Sequence, residues 1–269
     1  MSEPITIVTA FFDLGRGEWE GEKHGKNIPS YIKRTNEDYI RNFERLAKAD
    51  NPMVIYTSEE FSERIAKIRD DLGYKDNTTV IVYDNIWDDF KEVLQRISSI
   101  QNNEVFIKGV VDPSVPEYWN SEYVLVNFMK AFFVAKANEI GIISTKQSAW
   151  IDFGYCREDD TLPTGLSWSH DFGDKINLFY IKEPEPGRSI PEIVSTGDVY
   201  IQGCHIVGPT ERWETFWHRM CEAINALMTK GMIDDDQTLL LISALGYPDE
   251  FKLNKVDPSD WFIIFKDYQ

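Results

Sequence analysis

Positive charge is scarce in this chain of 269 residues. Lys and Arg together number 28 against 45 Asp and Glu, which gives a formal net charge of −17 at pH 7. A field of this sign repels nucleic-acid phosphates and anionic lipid, so the composition argues against a nucleic-acid-binding protein. A local basic pocket for a small phosphorylated ligand is still compatible with it.

Cysteine is also rare, and long apolar runs are missing. The three cysteines are an odd number in a chain far too large to need disulfides, which favours a reducing compartment. The most apolar long segment, 124–137, is interrupted by Asn127, Lys130 and Lys136, and the first residues do not resemble a signal peptide. We therefore expect a cytoplasmic protein without a transmembrane segment.

The residues that are present predict one globular domain over 1–269 with an α/β fold. Hydrophobic residues make up 42% of the chain, enough for a substantial core. Apolar β-prone runs alternate with amphipathic helical patterns, which is typical of a mainly parallel sheet flanked by helices. The predicted strands cover 5–12, 53–57, 78–83, 148–155, 175–182, 198–207 and 261–265, and the predicted helices cover 35–47, 58–72, 88–100, 121–139, 211–228 and 234–245.

The first predicted strand runs into a glycine-containing turn that carries Thr9, Asp13 and Arg16. Open α/β sheets bind ligands at the carboxyl ends of their strands, so these groups are candidates for a binding site. The turn matches neither a Walker motif nor Gly-x-Gly-x-x-Gly. These residues by themselves are equally compatible with an ordinary surface loop.

The predicted strand over 148–155 brings a single carboxylate, Asp152, to its end, and Gly154 bends the chain directly afterwards. An unpaired charge at a buried strand end is costly, so Asp152 either holds a cation or ligand or is paired with a residue such as Arg157. A kinase is excluded, because no other kinase motif accompanies the Asp-Phe-Gly sequence.

Three consecutive acids, Asp234, Asp235 and Asp236, precede Gln237 at the predicted start of a helix. One or two of them are explained by the helix dipole alone. Three repel one another, and such a cluster can bind hydroxyl groups or supply a general base. We favour a functional role for Asp235 or Asp236.

Asn127 and Lys130 are spaced to share one face of a predicted helix. A lysine in this apolar segment either snorkels to the surface or, beside Asp152, neutralises a diphosphate. A zinc site is not expected, because Cys204 and His205 are neighbours on a predicted strand and should point to opposite faces.

Several of these stretches together resemble the HtrL/YibB family. They are Thr6–Trp19, Met53–Thr57, Trp150–Arg157 and Asp235–Gln237, with Trp-Ile-Asp-Phe-Gly-Tyr the most specific. The family is found near lipopolysaccharide and capsule genes and is similar to GT-A glycosyltransferases. The resemblance implies a GT-A-like fold over the whole chain and a nucleoside-diphosphate sugar as donor, with a UDP-sugar favoured.

The resemblance also implies roles for individual positions. Asp235, Asp236 and Gln237 would be catalytic, and Asp152, at the place of the Asp-x-Asp motif, would bind Mn²⁺ or Mg²⁺ with His205 as a further ligand. Gly154 stands where that motif has its second acid, so Lys130, Arg16 and Arg157 are the alternative to a metal. The donor would be bound by Thr9, Ala10, Phe11, Asp13, Arg16, Tyr56, Thr57, Asn127, Lys130, Asp152, Gly154, Arg157, Gln202 and Gly203.

The sequence thus predicts a glycosyltransferase that acts on a glycan or lipid-linked glycan during surface polysaccharide or lipopolysaccharide assembly. Its place would be the cytoplasm or the inner face of the membrane. Two alternatives remain: a nucleotidyltransferase, which would need a denser acid cluster for two metals, and a GT-A-like protein that binds glycan or nucleotide without catalysis.

Overall fold

A seven-stranded sheet forms the centre of the protein in the computed structural model, which describes residues 3–19, 22–23, 26–28, 32–183 and 185–268. The strands lie in the order β5-β4-β1-β6-β8-β7-β9, and a separate two-stranded ribbon pairs β2 with β3. The strands are β1 (Thr6–Phe11), β2 (Glu22–Lys23), β3 (Lys26–Asn27), β4 (Met53–Thr57), β5 (Thr78–Val82), β6 (Gln147–Ile151), β7 (Ile176–Tyr180), β8 (Ile201–Pro209) and β9 (Phe251–Lys255).

Helices cover both faces of this sheet. They are α1 (Asn36–Leu46), α2 (Glu59–Asp71), α3 (Ile86–Asp89), α4 (Lys91–Gln101), α5 (Glu104–Gly109), α6 (Ser121–Phe128), α7 (Lys130–Glu139), α8 (Ile190–Thr196), α9 (Trp213–Thr229), α10 (Asp236–Gly246) and α11 (Ile264–Asp267). One apolar core joins the sheet to α4, α6, α7, α9 and α10, and a second joins it to α1, α2 and α11. None of these helices is long and apolar enough to cross a membrane within the described ranges.

The prediction of a mainly parallel α/β sheet flanked by helices is confirmed. Strands β5, β4, β1 and β6 pair in parallel, β8 pairs antiparallel with β6 and β7, and β9 is parallel to β7. The carboxyl ends of β1 and β6 therefore meet the amino end of β8 at one edge. This edge is where the predicted site residues converge.

Local sequence signals account for the best-predicted elements. Helix α1 begins after a capping box in which the side chains of Thr35 and Asp38 each accept from the other's backbone N–H. The predicted helix over 121–139 is instead two helices, since Met129 (φ −79°, ψ 0°) ends α6 and precedes α7. Asn127 and Lys130 consequently belong to consecutive helices and do not share one helix face.

The carboxyl-terminal part of the chain departs furthest from the prediction. The segment predicted as a strand over 261–265 leads into helix α11, and the edge strand β9 was not predicted. The backbone N–H of Ile264 donates to the Tyr155 hydroxyl, and Phe265 packs edge-on against Trp168 at 4.9 Å. These long-range contacts override the β propensity of the segment.

Strand β8 is irregular near the edge of the sheet where the predicted site residues converge. Asn177 of β7 pairs with Val207, but Phe179, two residues on, pairs with Gln202. The extra residues of β8 form a bulge over 203–206, which bends the strand and redirects its side chains. Cys204 and His205 lie in this bulge with Sγ and Nδ1 3.3 Å apart, so the prediction that they point to opposite faces is wrong.

Candidate active site

A cavity of about 450 Å³ opens at the edge where β1 and β6 end and β8 begins. This is the position at which open α/β sheets bind ligands, because neighbouring connections diverge there. The lining includes most of the residues singled out from the sequence: Ala10, Phe11, Asp13, Arg16, Asn127, Lys130, Asp152, Gly154, Arg157, Gly203, Asp235, Asp236 and Gln237.

Five predicted residues do not line the cavity: Thr9, Tyr56, Thr57, Gln202 and His205. All five are buried within the sheet or its cores. Tyr56, for example, packs against Phe133 with ring centroids 4.8 Å apart. Their predicted contact with a nucleotide or metal does not fit these positions.

His205 is held between aromatic rings of the second core. Its ring centroid lies 4.5 Å from that of Phe179 and 5.6 Å from that of Tyr155. Burial, with a smaller contribution from the charge of Lys130, lowers the pKa of His205 to about 3, so the imidazole is neutral. This side chain is a core residue and does not line the cavity that Asp152 lines.

The centre of the site is a buried ion cluster around Lys130. The Nζ atom lies 2.8 Å from Oδ2 of Asp236, 3.1 Å from Oδ1 of Asp152 and 2.9 Å from the carbonyl oxygen of Gly203. The side chains of Lys130 and Asp236 are 5% and 3% exposed. Burial lowers the pKa of Lys130, but the two carboxylates outweigh it and raise the pKa overall, so the ammonium stays charged.

Both carboxylates of this cluster are held in place by further contacts. The indole Nε1 of Trp150 donates to Oδ1 of Asp152 at 2.7 Å, which fixes the carboxylate at the end of β6. Asp236 lies directly against the backbone of Gly203, where a Cβ atom would come 1.9 Å from its Oδ2. Glycine at 203 is therefore required for the approach of Asp236 to Lys130.

We expect Gly203→Ala to destabilise the protein by about 1–3 kcal/mol, because Asp236 must move out of its pairing with Lys130. Urea denaturation measures the change. Gly246→Ala is the matched control, since a Cβ at that helical glycine meets nothing within 4 Å. Equal unfolding free energies for the two variants would contradict the close approach at Gly203.

A divalent cation does not fit the residues of this cluster. Asp152 already accepts from Trp150 and Lys130 through the same oxygen, and His205 does not line the cavity. Among the residues that the structure describes, no three His, Cys, Asp or Glu side chains are grouped so as to hold a metal ion. Hard cations require several oxygen ligands, and here one oxygen of each carboxylate and the Gly203 carbonyl are bonded to the Lys130 ammonium.

The three consecutive acids at the start of α10 have different environments. Asp234 accepts from the Asp235 backbone N–H and from the Thr238 hydroxyl at 2.7 Å, so its role is structural. Asp235 is the N-cap of α10 and accepts from Gln237 N at 3.0 Å, while Asp236 is the first helical residue. The helix thus begins at Asp236, the last of the three acids over which its start was predicted.

Asp235 lines the cavity without the lysine contact that Asp236 has. Burial, followed by the negative charges of Asp236, Asp234 and Glu117, raises the pKa of Asp235 well above its ordinary value. A carboxylate with a raised pKa is a stronger base, and it lies where a ligand can reach it.

Glu117 lines the same cavity and was not singled out from the sequence. It lies on a short 3-10 helix (Pro116–Tyr118) that is held by a 2.6 Å hydrogen bond from the Tyr118 hydroxyl to the Val194 carbonyl. Burial, with Asp234, Asp112 and Asp236 adding negative charge, raises the pKa of Glu117 to about 8. No local pattern in the sequence singles it out.

Glu117 makes stability depend on pH. Its folded-state pKa of about 8 exceeds the ordinary 4.5, so the native state keeps a proton that the unfolded chain has lost. The free energy of unfolding should therefore fall as the pH rises from 4.5 to about 8, by at most about 1.4 kcal/mol per pH unit for this group. Urea denaturation across this range should show a flatter decline for Glu117→Gln, and parallel curves for wild type and variant would contradict the raised pKa.

Guanidinium groups form the other charged part of the lining. Arg16, Arg34 and Arg157 all line the cavity. Arg16 donates to the Ile32 carbonyl and the Tyr39 hydroxyl, which holds its side chain in place. Arg157 stacks on Phe262, with its guanidinium carbon 4.7 Å from the ring centre. Burial and then the positive charge of Arg34 lower the pKa of Arg157.

Trp261 and Phe262 also line the cavity, although sequence reasoning placed them in a strand. The segment is anchored to the bulge of β8, where the Cys204 thiol donates to the Trp261 carbonyl at 3.4 Å. The carboxyl-terminal segment thereby contributes an aromatic part of the wall next to Arg157.

A family model and a sequence relative both match this chain to the same family. A family model described as "Bacterial protein of unknown function (HtrL_YibB)" matches residues 3–269. Protein HtrL of Escherichia coli (strain K12) is 35% identical over 272 residues, which cover 99% of this chain and 93% of that protein.

Two solved structures resemble the fold more distantly. The inositol-1-phosphate CTP transferase from T. maritima has a TM-score of 0.46 and 9% identity, covering 95% of this chain and 87% of that chain. Mouse xyloside xylosyltransferase 1, in its apo form, has a TM-score of 0.41 and 13% identity, covering 93% of this chain and 84% of that chain. The family model and the E. coli protein, in contrast, match this chain in sequence, the latter at 35% identity. This chain therefore belongs to the HtrL/YibB family.

Proposed function

We propose that the protein is a glycosyltransferase that moves a sugar from a nucleoside-diphosphate sugar to a hydroxyl group of a glycan or lipid-linked glycan. One observation carries the proposal: a single cavity at the carboxyl edge of the sheet is lined both by guanidinium groups and by Asp235, a carboxylate with a raised pKa. Guanidinium groups suit a diphosphate, and a basic carboxylate suits a hydroxyl nucleophile.

The donor would bind with its diphosphate near Arg157 and Arg34. Charge-assisted hydrogen bonds from guanidinium to phosphate are strong and directional, and they stabilise the negative charge that develops on the leaving diphosphate. Cationic groups gathered in a protein with a net charge of −17 are consistent with an anionic ligand at this place. Asn127, which lines the cavity beside Lys130, offers an amide to the sugar or ribose.

Asp235 would act on the acceptor. The acceptor oxygen forms a bond to the anomeric carbon while the bond from that carbon to the diphosphate oxygen breaks. The hydroxyl proton passes to Asp235, and the nucleoside diphosphate leaves with the bonding electron pair. Asp236 does not compete for this proton, because Lys130 holds its carboxylate.

Arg157→Ala should weaken the binding of a nucleoside diphosphate by about 1.5–3 kcal/mol, which is roughly 10- to 150-fold. Isothermal titration calorimetry with UDP, GDP, CDP and ADP measures the effect on whichever nucleotide binds. Arg64→Ala is the control, because Arg64 pairs with Glu37 and does not line the cavity. Unchanged affinity in Arg157→Ala would remove this residue from the donor site.

Incubation with a panel of nucleotide sugars tests the activity, with phosphatase-coupled detection of released nucleoside diphosphate. We expect slow release with one class of donor, UDP-sugars first, and faster release when a glycan acceptor is added. Release of pyrophosphate from a nucleoside triphosphate and a sugar phosphate would instead assign a nucleotidyltransferase. Binding without turnover in any combination would assign a binding protein.

The cellular role follows from the same proposal. We place the reaction in the cytoplasm or at the inner face of the membrane, during assembly of surface polysaccharide or lipopolysaccharide. The HtrL/YibB family resemblance is the support for this role.

A further inference from the structure

We infer that the Lys130 ammonium is the resident cation of this site, so that a nucleoside diphosphate binds there without a divalent metal. The identity of the ligand, a nucleoside diphosphate, rests on the proposed function. The role of Lys130 in place of a metal rests on the geometry of the ion cluster. It concerns the place where a metal-dependent transferase would hold its cation.

The coordination of Lys130 resembles that of a bound cation. Two carboxylate oxygens and one backbone carbonyl oxygen surround Nζ at 2.8–3.1 Å. An ammonium group has three N–H donors, and Asp236, Asp152 and Gly203 accept one each. Oxygen atoms are the ligands that Mg²⁺ or Mn²⁺ prefers, and here one oxygen of each carboxylate and the Gly203 carbonyl are already bonded to Nζ.

Displacing this ammonium would be costly. The Lys130 side chain is 5% exposed, and the local backbone is built around the cluster, since any side chain at Gly203 would collide with Asp236. A metal ion added at Asp152 would stand next to a buried positive charge and be repelled by it. Lys130 therefore performs part of the task of a metal, because its single positive charge offsets one of the two negative charges of Asp152 and Asp236 beneath an anionic ligand.

The remaining positive charge for the diphosphate comes from the wall of the cavity. Arg157 and Arg34 both line it, and Arg16 is held there by Ile32 and Tyr39. Direct contacts to phosphate would thus come from arginine side chains. With these groups and Lys130 in place, the site has the charge that a divalent ion would otherwise supply.

Removing Lys130 should create a metal site. In Lys130→Ala the two carboxylates and the Gly203 carbonyl face the space that Nζ occupied, and Mn²⁺ can bind them. The unbound Mn²⁺ signal in electron paramagnetic resonance should fall by one ion per chain for Lys130→Ala and stay unchanged for the wild type. The matched control, Lys130→Ala/Asp152→Asn, should lose this binding. Stoichiometric Mn²⁺ binding to the wild type, abolished by Asp152→Asn, would overturn the inference.

Titration of the wild-type protein tests the inference even if Lys130→Ala does not fold. Calorimetry with UDP, GDP, CDP and ADP is run in excess EDTA and again in excess MnCl₂. We expect affinities that agree within about twofold, whereas a gain of more than about tenfold with Mn²⁺ would overturn metal-independent binding but leave the proposed function standing. If no nucleotide binds in either buffer, the proposed function fails, and Mn²⁺ binding to the wild type then decides the role of Lys130.

Discussion

Replacing Asp235 with asparagine should lower kcat by about 10²–10⁴-fold and leave donor affinity nearly unchanged. Asparagine removes the basic oxygen but keeps the shape of the side chain. It is also as good an N-cap as aspartate, so α10 should still begin at Asp236. Single-turnover transfer, measured with saturating donor and acceptor, separates this loss in chemistry from a loss in binding.

Asp234→Asn is the matched control for this prediction. Asp234 has the same side chain one residue away, yet it is bonded to Thr238 and does not line the cavity. Its amide variant should keep turnover within a few-fold of the wild type. Near-wild-type turnover in Asp235→Asn would remove Asp235 as the base, and equal losses in both variants would indicate a structural effect on α10.

Lys130→Met should destabilise the protein by about 3–5 kcal/mol at neutral pH, because it leaves the buried Asp236 without its counter-ion. Methionine retains much of the side-chain volume, so the loss reports on charge more than on packing. The deficit should shrink as the pH is lowered, since protonation of Asp236 and Asp152 removes the unpaired charge. Urea denaturation at several pH values measures both effects.

Two further variants identify the source of this loss. The double variant Lys130→Met/Asp236→Asn removes both charges and should recover part of the stability. Lys67→Met breaks the exposed pair with Asp71 and should cost less than about 1 kcal/mol. A deficit in Lys130→Met that is independent of pH and unrelieved in the double variant would contradict the charge-pairing account.

Elements with strong local signals could be predicted from the sequence. The strand over Met53–Thr57 and the capping box at Thr35 are examples, because a continuous β-prone run and a capping pair depend only on neighbouring residues. The break at Met129 could not, since no glycine or proline marks it. That break starts the helix whose first residue, Lys130, reaches Asp152 and Asp236.

The candidate site was partly predictable for the same reason. Asp152 and the acids before α10 stand out because each follows or begins a recognisable element. The sequence offered two basic residues, Arg157 and Lys130, as neighbours of Asp152. In the structure, Asp152 pairs with Lys130. Glu117 joins the site only through packing of a 3-10 helix from a distant part of the chain, which no local pattern encodes.

The position of the donor is the central claim, and a crystal structure of the protein grown with the tightest-binding nucleoside diphosphate tests it most directly. We expect the diphosphate in the cavity at the carboxyl ends of β1 and β6, within hydrogen-bond distance of the Arg157 guanidinium and with Asp235 open to the acceptor side. A nucleotide bound outside this cavity, or a cavity that stays empty at saturating nucleotide, would contradict it.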